Sequence, residues 1–185
     1  MILVSQSPRR QEIMNKMGYK FDIVIPDVDE SFPEDMPVLR IPEYLAEKKV
    51  LAVSDQYPDN MLIAADTIVV LDGEVINKPA DDSEAFMMLR KLSGREHMVI
   101  SGVCVLRGED MICFTDESKV QFMELTDDEI LYYIEHYKPY DKAGAYGVQD
   151  FIGMIGIERI EGSFYNVMGL PIHKLYRAIE MLRNK

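Results

Sequence analysis

The sequence predicts an α/β protein built on a mixed sheet, and three observations carry that expectation. Apolar, strand-like runs alternate along the chain with segments of helical spacing. The strongest strand region, "MLIAADTIVVLDGEVINKP", places a "DG" turn between two extended stretches. Two helical segments, "DDSEAFMMLRKLSGR" and "TDDEILYYIEHY", open on residues suited to capping and carry acids in their first turns. At 185 residues and 48% hydrophobic content, the chain has material for one domain spanning residues 1–185.

Each element follows in order. "MILVSQ" reads as a short buried strand, and "SPRRQEIMNKMG" as a helix with Ser7 at its cap, Pro8 first and Gly18 as the stop. Ile13, Met14 and Met17 fall on one face of that helix. "FDIVIPDVDES" looks like a strand ending in an acidic turn. After the proline-broken "FPEDMPVLRIP", helical spacing resumes with Leu45, Val50, Leu51 and Val53 in "EYLAEKKVLAVSDQY". "HMVISGVCVLRGEDMICFTDESKVQFMEL" reads as three strands, the first two joined at "RGED". The glycine-rich "DKAGAYGVQD" is a loop, "IGIERIEG" a strand, and "LPIHKLYRAIEMLRNK" a closing helix. A division into two lobes is only weakly signalled.

Composition removes several classes of function. With 32 acidic against 20 basic residues and a formal charge of −12, the chain is unsuited to bulk nucleic acid, whose binding rests on phosphate neutralisation. A small phosphorylated ligand needs only one local cationic pocket. The longest apolar runs are too short to span a bilayer, and no signal peptide is evident at the N-terminus, so the expected location is cytoplasmic. Cys104 and Cys113 make no disulfide framework and lack metal-ligand spacing; Cys104 reads as inert core. The thirteen methionines read as core filling.

Against that acidic background, "SQSPRRQEIM" stands out. A helix start presents unpaired N–H groups and the positive end of a dipole; Ser5 and Ser7 can add hydroxyls, and Arg9 and Arg10 planar donor forks. The plain alternative is a capped surface helix, and adjacent arginines point in different directions. Asp66 emerges from a buried-type strand, which is costly unless the carboxylate is paired, metal-bound or at the strand's open end. Thr67 should project to the opposite side. Glu30, Lys49 and Lys78 are each a solvated charge taken singly. Gathered in one cleft, these carboxylates, lysines and an arginine would suit metal-assisted phosphoryl chemistry. Gln149 offers a donor and an acceptor, as reading a base edge requires, although a simple loop would also explain "DKAGAYGVQD". G-x-x-x-x-G-K-[ST], G-x-G-x-x-G and H-E-x-x-H are absent, and the three histidines have no suitably spaced Ser or Cys partner.

Taken together, "SQSPRRQEIM", "AADTIVVLDGEVINKPAD", "LRKLSGREHMVISGV", "DKAGAYGVQD" and "GSFYNVMGLPIHKL" resemble the Maf family of nucleoside triphosphate pyrophosphatases in order and spacing. The resemblance runs essentially the whole length. Val4, Gln6, Val50 and Phe164 depart from the family pattern beside the functional positions. The resemblance implies an inosine-triphosphatase-like fold: an elongated mixed sheet flanked by helices, with two lobes around a central cleft. It implies hydrolysis of a nucleoside triphosphate, dTTP or UTP, to the monophosphate and pyrophosphate, with Mg²⁺ or Mn²⁺, by a protein that is often a homodimer. Asp66 then looks like the catalytic acid, and Glu30, Lys49 and Lys78 like its metal- and phosphate-handling partners, with Asp66 and Glu30 on the metal. Ser7 and Arg9 look like parts of the phosphate-binding start, and Arg10, Thr67 and Gln149 like the positions of substrate choice. Two other readings stand beside it: a nucleotide-binding regulator of cell division with little turnover, and the same chemistry on modified or purine nucleotides.

Overall fold

The computed structural model describes residues 1–184. Its strands are β1 (Ile2–Val4), β2 (Asp22–Val24), β3 (Met61–Leu71), β4 (Glu74–Ile76), β5 (Glu96–Arg107), β6 (Asp110–Phe122) and β7 (Ile157–Glu161). Its helices are α1 (Pro8–Lys16), α2 (Ile41–Ser54), α3 (Asp82–Leu92), α4 (Asp127–Tyr137), α5 (Phe151–Gly156), α6 (Phe164–Met168) and α7 (Ile172–Arg183). Among the described residues the strands form one seven-stranded sheet in the order β2-β1-β3-β5-β6-β7, with β4 paired to β3. β1 runs parallel to both β2 and β3, whereas β4 and β7 pair antiparallel, so the sheet is mixed as expected. No helix among the described residues is long and apolar enough to cross a membrane.

The chain divides into two compact units. The first contains residues 1–67, 101–116 and 169–185; the second contains 68–100 and 117–168. Each has its own core. In the first unit, Ala46, Val50 and Val53 of α2 pack on Ile2 and Val4 of β1, Leu62 and Ala64 of β3, and Cys104 and Leu106 of β5. These are alternate residues on each strand, as the two-residue period of a pleated sheet demands. Leu3 and Ile63 are buried as well, so both faces are covered, as parallel strands require. Gly102 shows how near α2 comes: a Cβ there would lie 2.1 Å from the backbone nitrogen of Glu43.

In the second unit, Ala85, Leu89 and Leu92 of α3 and Ile130, Tyr133 and Ile134 of α4 share a core with Val69, Val99, Val120 and Phe122 of the sheet. Both helices start where the sequence signals them. Asp81 accepts the Glu84 N–H at 2.9 Å, and Thr126 and Glu129 form a reciprocal capping box.

Several expectations are corrected. The predicted three strands after Glu96 are two long ones, because the polar "TDES" stretch continues through β6: Asp116 finds Lys174 at 2.6 Å instead of a turn. The helix expected from Glu43 begins at Ile41, with Pro42 accommodated in its first turn. Leu51 and Met17, assigned to buried faces, are exposed. α5 and α6 carry no strong period and were not anticipated. Cys104 is buried as expected but is bonded to Cys113 across the β5–β6 hairpin, so it is not a simple core thiol.

Candidate active site

The parity of β3 decides what the first unit places together. Leu62 and Ala64 face α2, so Asp66, two residues further on, faces α2 as well. There it meets Lys49, whose Nζ donates to Asp66 Oδ1 at 2.6 Å and lies 2.8 Å from Glu30 Oε1. The Lys49 side chain is 9% exposed and Asp66 13%, while Glu30 is half exposed. One buried ammonium thus links two carboxylates that are 36 residues apart in sequence. Glu30 comes from an irregular segment held locally by Asp29, which accepts both the backbone N–H and the hydroxyl of Ser31. Those bonds lower the Asp29 pKa. Lys48, beside Lys49 on α2, reaches the Ser31 carbonyl at 3.4 Å, so consecutive lysines tie this segment to the helix.

Thr67 has the opposite parity and meets α1. Arg10 of α1 donates from Nη2 to Thr67 Oγ1 at 3.1 Å, from Nη1 to Ser5 Oγ at 3.2 Å and from Nε to the Gly169 carbonyl at 2.9 Å. Burial lowers the pKa of this guanidinium; the charge of Asp66 pulls it back up, Arg9 lowers it and Glu30 raises it. Arg10 is committed to three neutral oxygens of the scaffold, with Asp66 within electrostatic reach. Ser7 occupies the N-cap position, but its hydroxyl does not cap the helix; its N–H donates to Ser5 Oγ at 3.1 Å.

Gly169 and Ser101 complete this arrangement and were missed by sequence reasoning. Ser101 is fully buried, with its hydroxyl 2.9 Å from Thr67 Oγ1. The Gly169 carbonyl receives both Arg10 and, at 3.3 Å, Thr67. Gly169 adopts φ +113°, a conformation that disfavours any side chain. Both lie in quoted motifs, "HMVISGV" and "NVMGLP", but nothing in residue type alone reveals a support role.

Lys78 and Gln149 belong to the second unit. Lys78 is exposed just beyond β4, and the preceding Asn77 carbonyl accepts the Gly144 N–H at 3.0 Å, which ties the lysine's strand end to the loop bearing Gln149. Gln149 is half-buried, and its Oε1 is buried without a hydrogen-bond partner. Within the loop, Tyr146 is buried with its hydroxyl 2.7 Å from His97 Nε2. Burial lowers the His97 pKa to about 4 and raises that of Tyr146. His97 is therefore a neutral core residue at neutral pH.

Comparison with known proteins now bears on this geometry. The family model described as Maf-like protein matches residues 1–182. The chain belongs to the Maf family. It is 50% identical over 183 residues to a dTTP/UTP pyrophosphatase of Bacteroides thetaiotaomicron, covering 98% of this chain and 95% of that one. A protein of the same name from Bacteroides fragilis is 48% identical over the same proportions. Another, from Porphyromonas gingivalis, is 46% identical, covering 97% of this chain and 92% of its own length. In this Maf-family chain, five of the residues expected from the resemblance form two contacting sets. Glu30, Lys49 and Asp66 are in direct contact, as are Arg10 and Thr67, all within the first unit.

No group of three or more His, Cys, Asp or Glu side chains that could hold a metal occurs among the described residues. Asp66 and Glu30 nevertheless already share one cation, the Lys49 ammonium. Mg²⁺ is held in many phosphate sites by one or two carboxylates, with water and substrate oxygens completing its shell. The donor set fits such an ion.

Proposed function

We propose that this chain hydrolyses nucleoside triphosphates, dTTP and UTP foremost, to the monophosphate and pyrophosphate. One observation carries the reading: Lys49, nearly buried, bridges Asp66 and Glu30 beside the strand residue that anchors Arg10. The similarity to curated dTTP/UTP pyrophosphatases over nearly full length supports it.

In this reading Asp66 orients the attacking water and takes its proton as the bond to the α-phosphorus forms. Lys49 fixes the Asp66 carboxylate through its 2.6 Å bond and offers positive charge where negative charge builds on the departing pyrophosphate. Arg9 and Ser7, at the first turn of α1, bind phosphate oxygens together with the N–H groups of that turn. Lys78 supplies a further cation. Arg10, with its fork satisfied by Ser5, Thr67 and Gly169, holds the wall of the site in register, and Gln149 reads the base. Asp66 and Glu30 would hold a divalent ion, Mg²⁺ or Mn²⁺, which supplies Lewis-acid polarisation of the phosphate when bound. The family resemblance also supports a cytoplasmic homodimer.

A panel of nucleoside triphosphates incubated with the protein and Mg²⁺, analysed for monophosphate and pyrophosphate, tests the proposal. Steady release of pyrophosphate with dTTP and UTP ahead of purine nucleotides is the expected result. Binding without turnover would instead favour a regulatory role, and preference for purine or modified nucleotides would remove the substrate assignment.

A further inference from the structure

One buried phenol holds the loop that carries Gln149. Tyr133, on α4, is fully buried and stacks on Tyr137 with ring centroids 5.0 Å apart. Its hydroxyl accepts the Gly147 N–H at 3.1 Å and donates to Asp150 Oδ2 at 2.9 Å. Gln149 lies between those two residues in sequence. Lys142, at the other end of the loop, approaches the same Asp150 oxygen at 3.7 Å. Both ends of the 142–150 segment therefore meet at one carboxylate oxygen.

Two features mark this as a specific arrangement rather than incidental packing. Asp150 occupies the N-cap position of α5, where an aspartate ordinarily satisfies the helix's first N–H groups, yet its side chain makes no cap bond. The carboxylate is directed to Tyr133 and Lys142 instead. Gly147 has no room for a side chain, since a Cβ would lie 2.3 Å from Asp150 Oδ2, so carboxylate and backbone are pressed together beside the phenol. The phenol thus ties together the backbone on either side of Gln149, whose Oε1 is buried without a hydrogen-bond partner.

We infer that Tyr133 is a positioning residue for base selection: by fixing Gly147 and Asp150 it sets the backbone position from which the Gln149 side chain meets the base. The inference rests on the reading of Gln149 as the residue that recognises the base. Its chemistry follows from the two edges of an amide. Uracil and thymine present an N3–H donor, whereas cytosine presents a lone pair at N3 and an amino group beside it. A glutamine free to turn its amide can serve either pattern. One whose backbone is held in place has a narrower choice of orientations and so discriminates between the two patterns.

Steady-state kinetics with dTTP and dCTP on the full chain test this. Q149A and Y133F should each lower the ratio of kcat/KM for dTTP over dCTP about tenfold. Y133F should act through KM for dTTP, with kcat within about twofold of the parent, and the Y133F/Q149A double variant should lose no further selectivity. D150N, which keeps an acceptor for the phenol, should retain most of the ratio, and D150A should not. D150A also serves should Y133F fail to fold, because it leaves the buried ring in place. If Q149A loses selectivity while Y133F and D150A keep it, the role of Tyr133 is overturned and the reading of Gln149 survives. If Y133F depresses kcat equally for both nucleotides, Tyr133 serves only the fold and the inference fails. If Q149A itself keeps the ratio, the base-reading role falls and this inference falls with it.

Discussion

The two units differ in the polar groups at their centres. In the first, Lys49, Asp66, Glu30 and Arg10 are charged groups, Lys49 held by ion pairs and Arg10 by hydrogen bonds to neutral oxygens. In the second, His97, Tyr146 and Phe122 form an edge-to-face aromatic cluster around one neutral hydrogen bond. Charge is costly to bury, so a lysine only 9% exposed that holds two carboxylates calls for a use; neutral burial mainly gives rigidity. On the proposed function the charges of the first unit serve the phosphates, while the neutral cluster of the second gives its own Gln149 loop a stiff backing.

The largest expected effect lies in the first unit. Asp66→Asn retains an oxygen for the Lys49 bond, so the fold should survive, with a melting temperature within a few degrees of the parent. On the proposed role it removes the base that takes a proton from water, so turnover should fall about 10³-fold, within the ~10²–10⁴ range of general base catalysis. A rate within fivefold of the parent would show that the ion cluster is structural. Lys49→Met sharpens the point, because it deletes the cation while keeping the chain's bulk. Two carboxylates then face each other without their partner. With Asp66 nearly buried but Glu30 half exposed, the cost in stability should be about 1–3 kcal/mol, below that of breaking a fully buried pair. Urea unfolding measures it. Activity should drop at least about 100-fold, as loss of a fixed cation near developing charge generally causes. If Lys49→Met were more stable than the parent and fully active, the charge cluster would have no catalytic use.

The second unit should break through pH. The His97 pKa is lowered to about 4 by burial, against about 6.5 in the unfolded chain. Between those values the unfolded state binds a proton that the folded state refuses, so stability rises with pH across this window. It should be fully present above about pH 6.5 and decline as pH falls towards 4, by about 3 kcal/mol in total for a shift of this size. Below about pH 4 this contribution levels off. Unfolding free energies measured from pH 7.5 to 4 in the parent and in His97→Gln isolate it, since the variant should lack that slope. Parallel pH profiles for the two proteins would mean that His97 is not the neutral pillar of this cluster.

The same contrast explains what the sequence reveals and what it hides. α3 and α4 were legible because their caps are local: Asp81 and Thr126 satisfy N–H groups three residues away. The β3–β4 hairpin was legible because Asp72 and Gly73 both take positive φ, as a "DG" turn of this kind needs. Asp66 and Lys49 could be named from residue type and motif, but their contact depends on the pairing of β1 with β3 and the seating of α2, which are long-range facts. Short elements such as α5, only six residues long, owe their existence to tertiary packing more than to a periodic pattern. The role of Tyr133 is not legible, because a phenol gives no sign in sequence of which backbone N–H it will accept. The paired cysteines were missed for a related reason, since their nine-residue separation becomes proximity only once β5 and β6 are aligned.

The smallest expected effect tests how much redundancy the Arg10 anchor contains. Thr67 Oγ1 has one proton and three polar neighbours: Arg10 as donor, the Ser101 hydroxyl at 2.9 Å and the Gly169 carbonyl at 3.3 Å. In Ser101→Ala the Thr67 hydroxyl can still turn to Gly169 while accepting from Arg10, so no charge is stranded. The cost should be about 1 kcal/mol, the net worth of one neutral hydrogen bond, with turnover within about threefold of the parent. Thr67→Val removes the acceptor for Arg10 itself and should cost more, about 1–3 kcal/mol, because a donor of the buried guanidinium is then left unsatisfied. The ordering of these two variants is the informative quantity. Urea unfolding that found Ser101→Ala the more damaging would shift the anchor of Arg10 from Thr67 to the serine behind it.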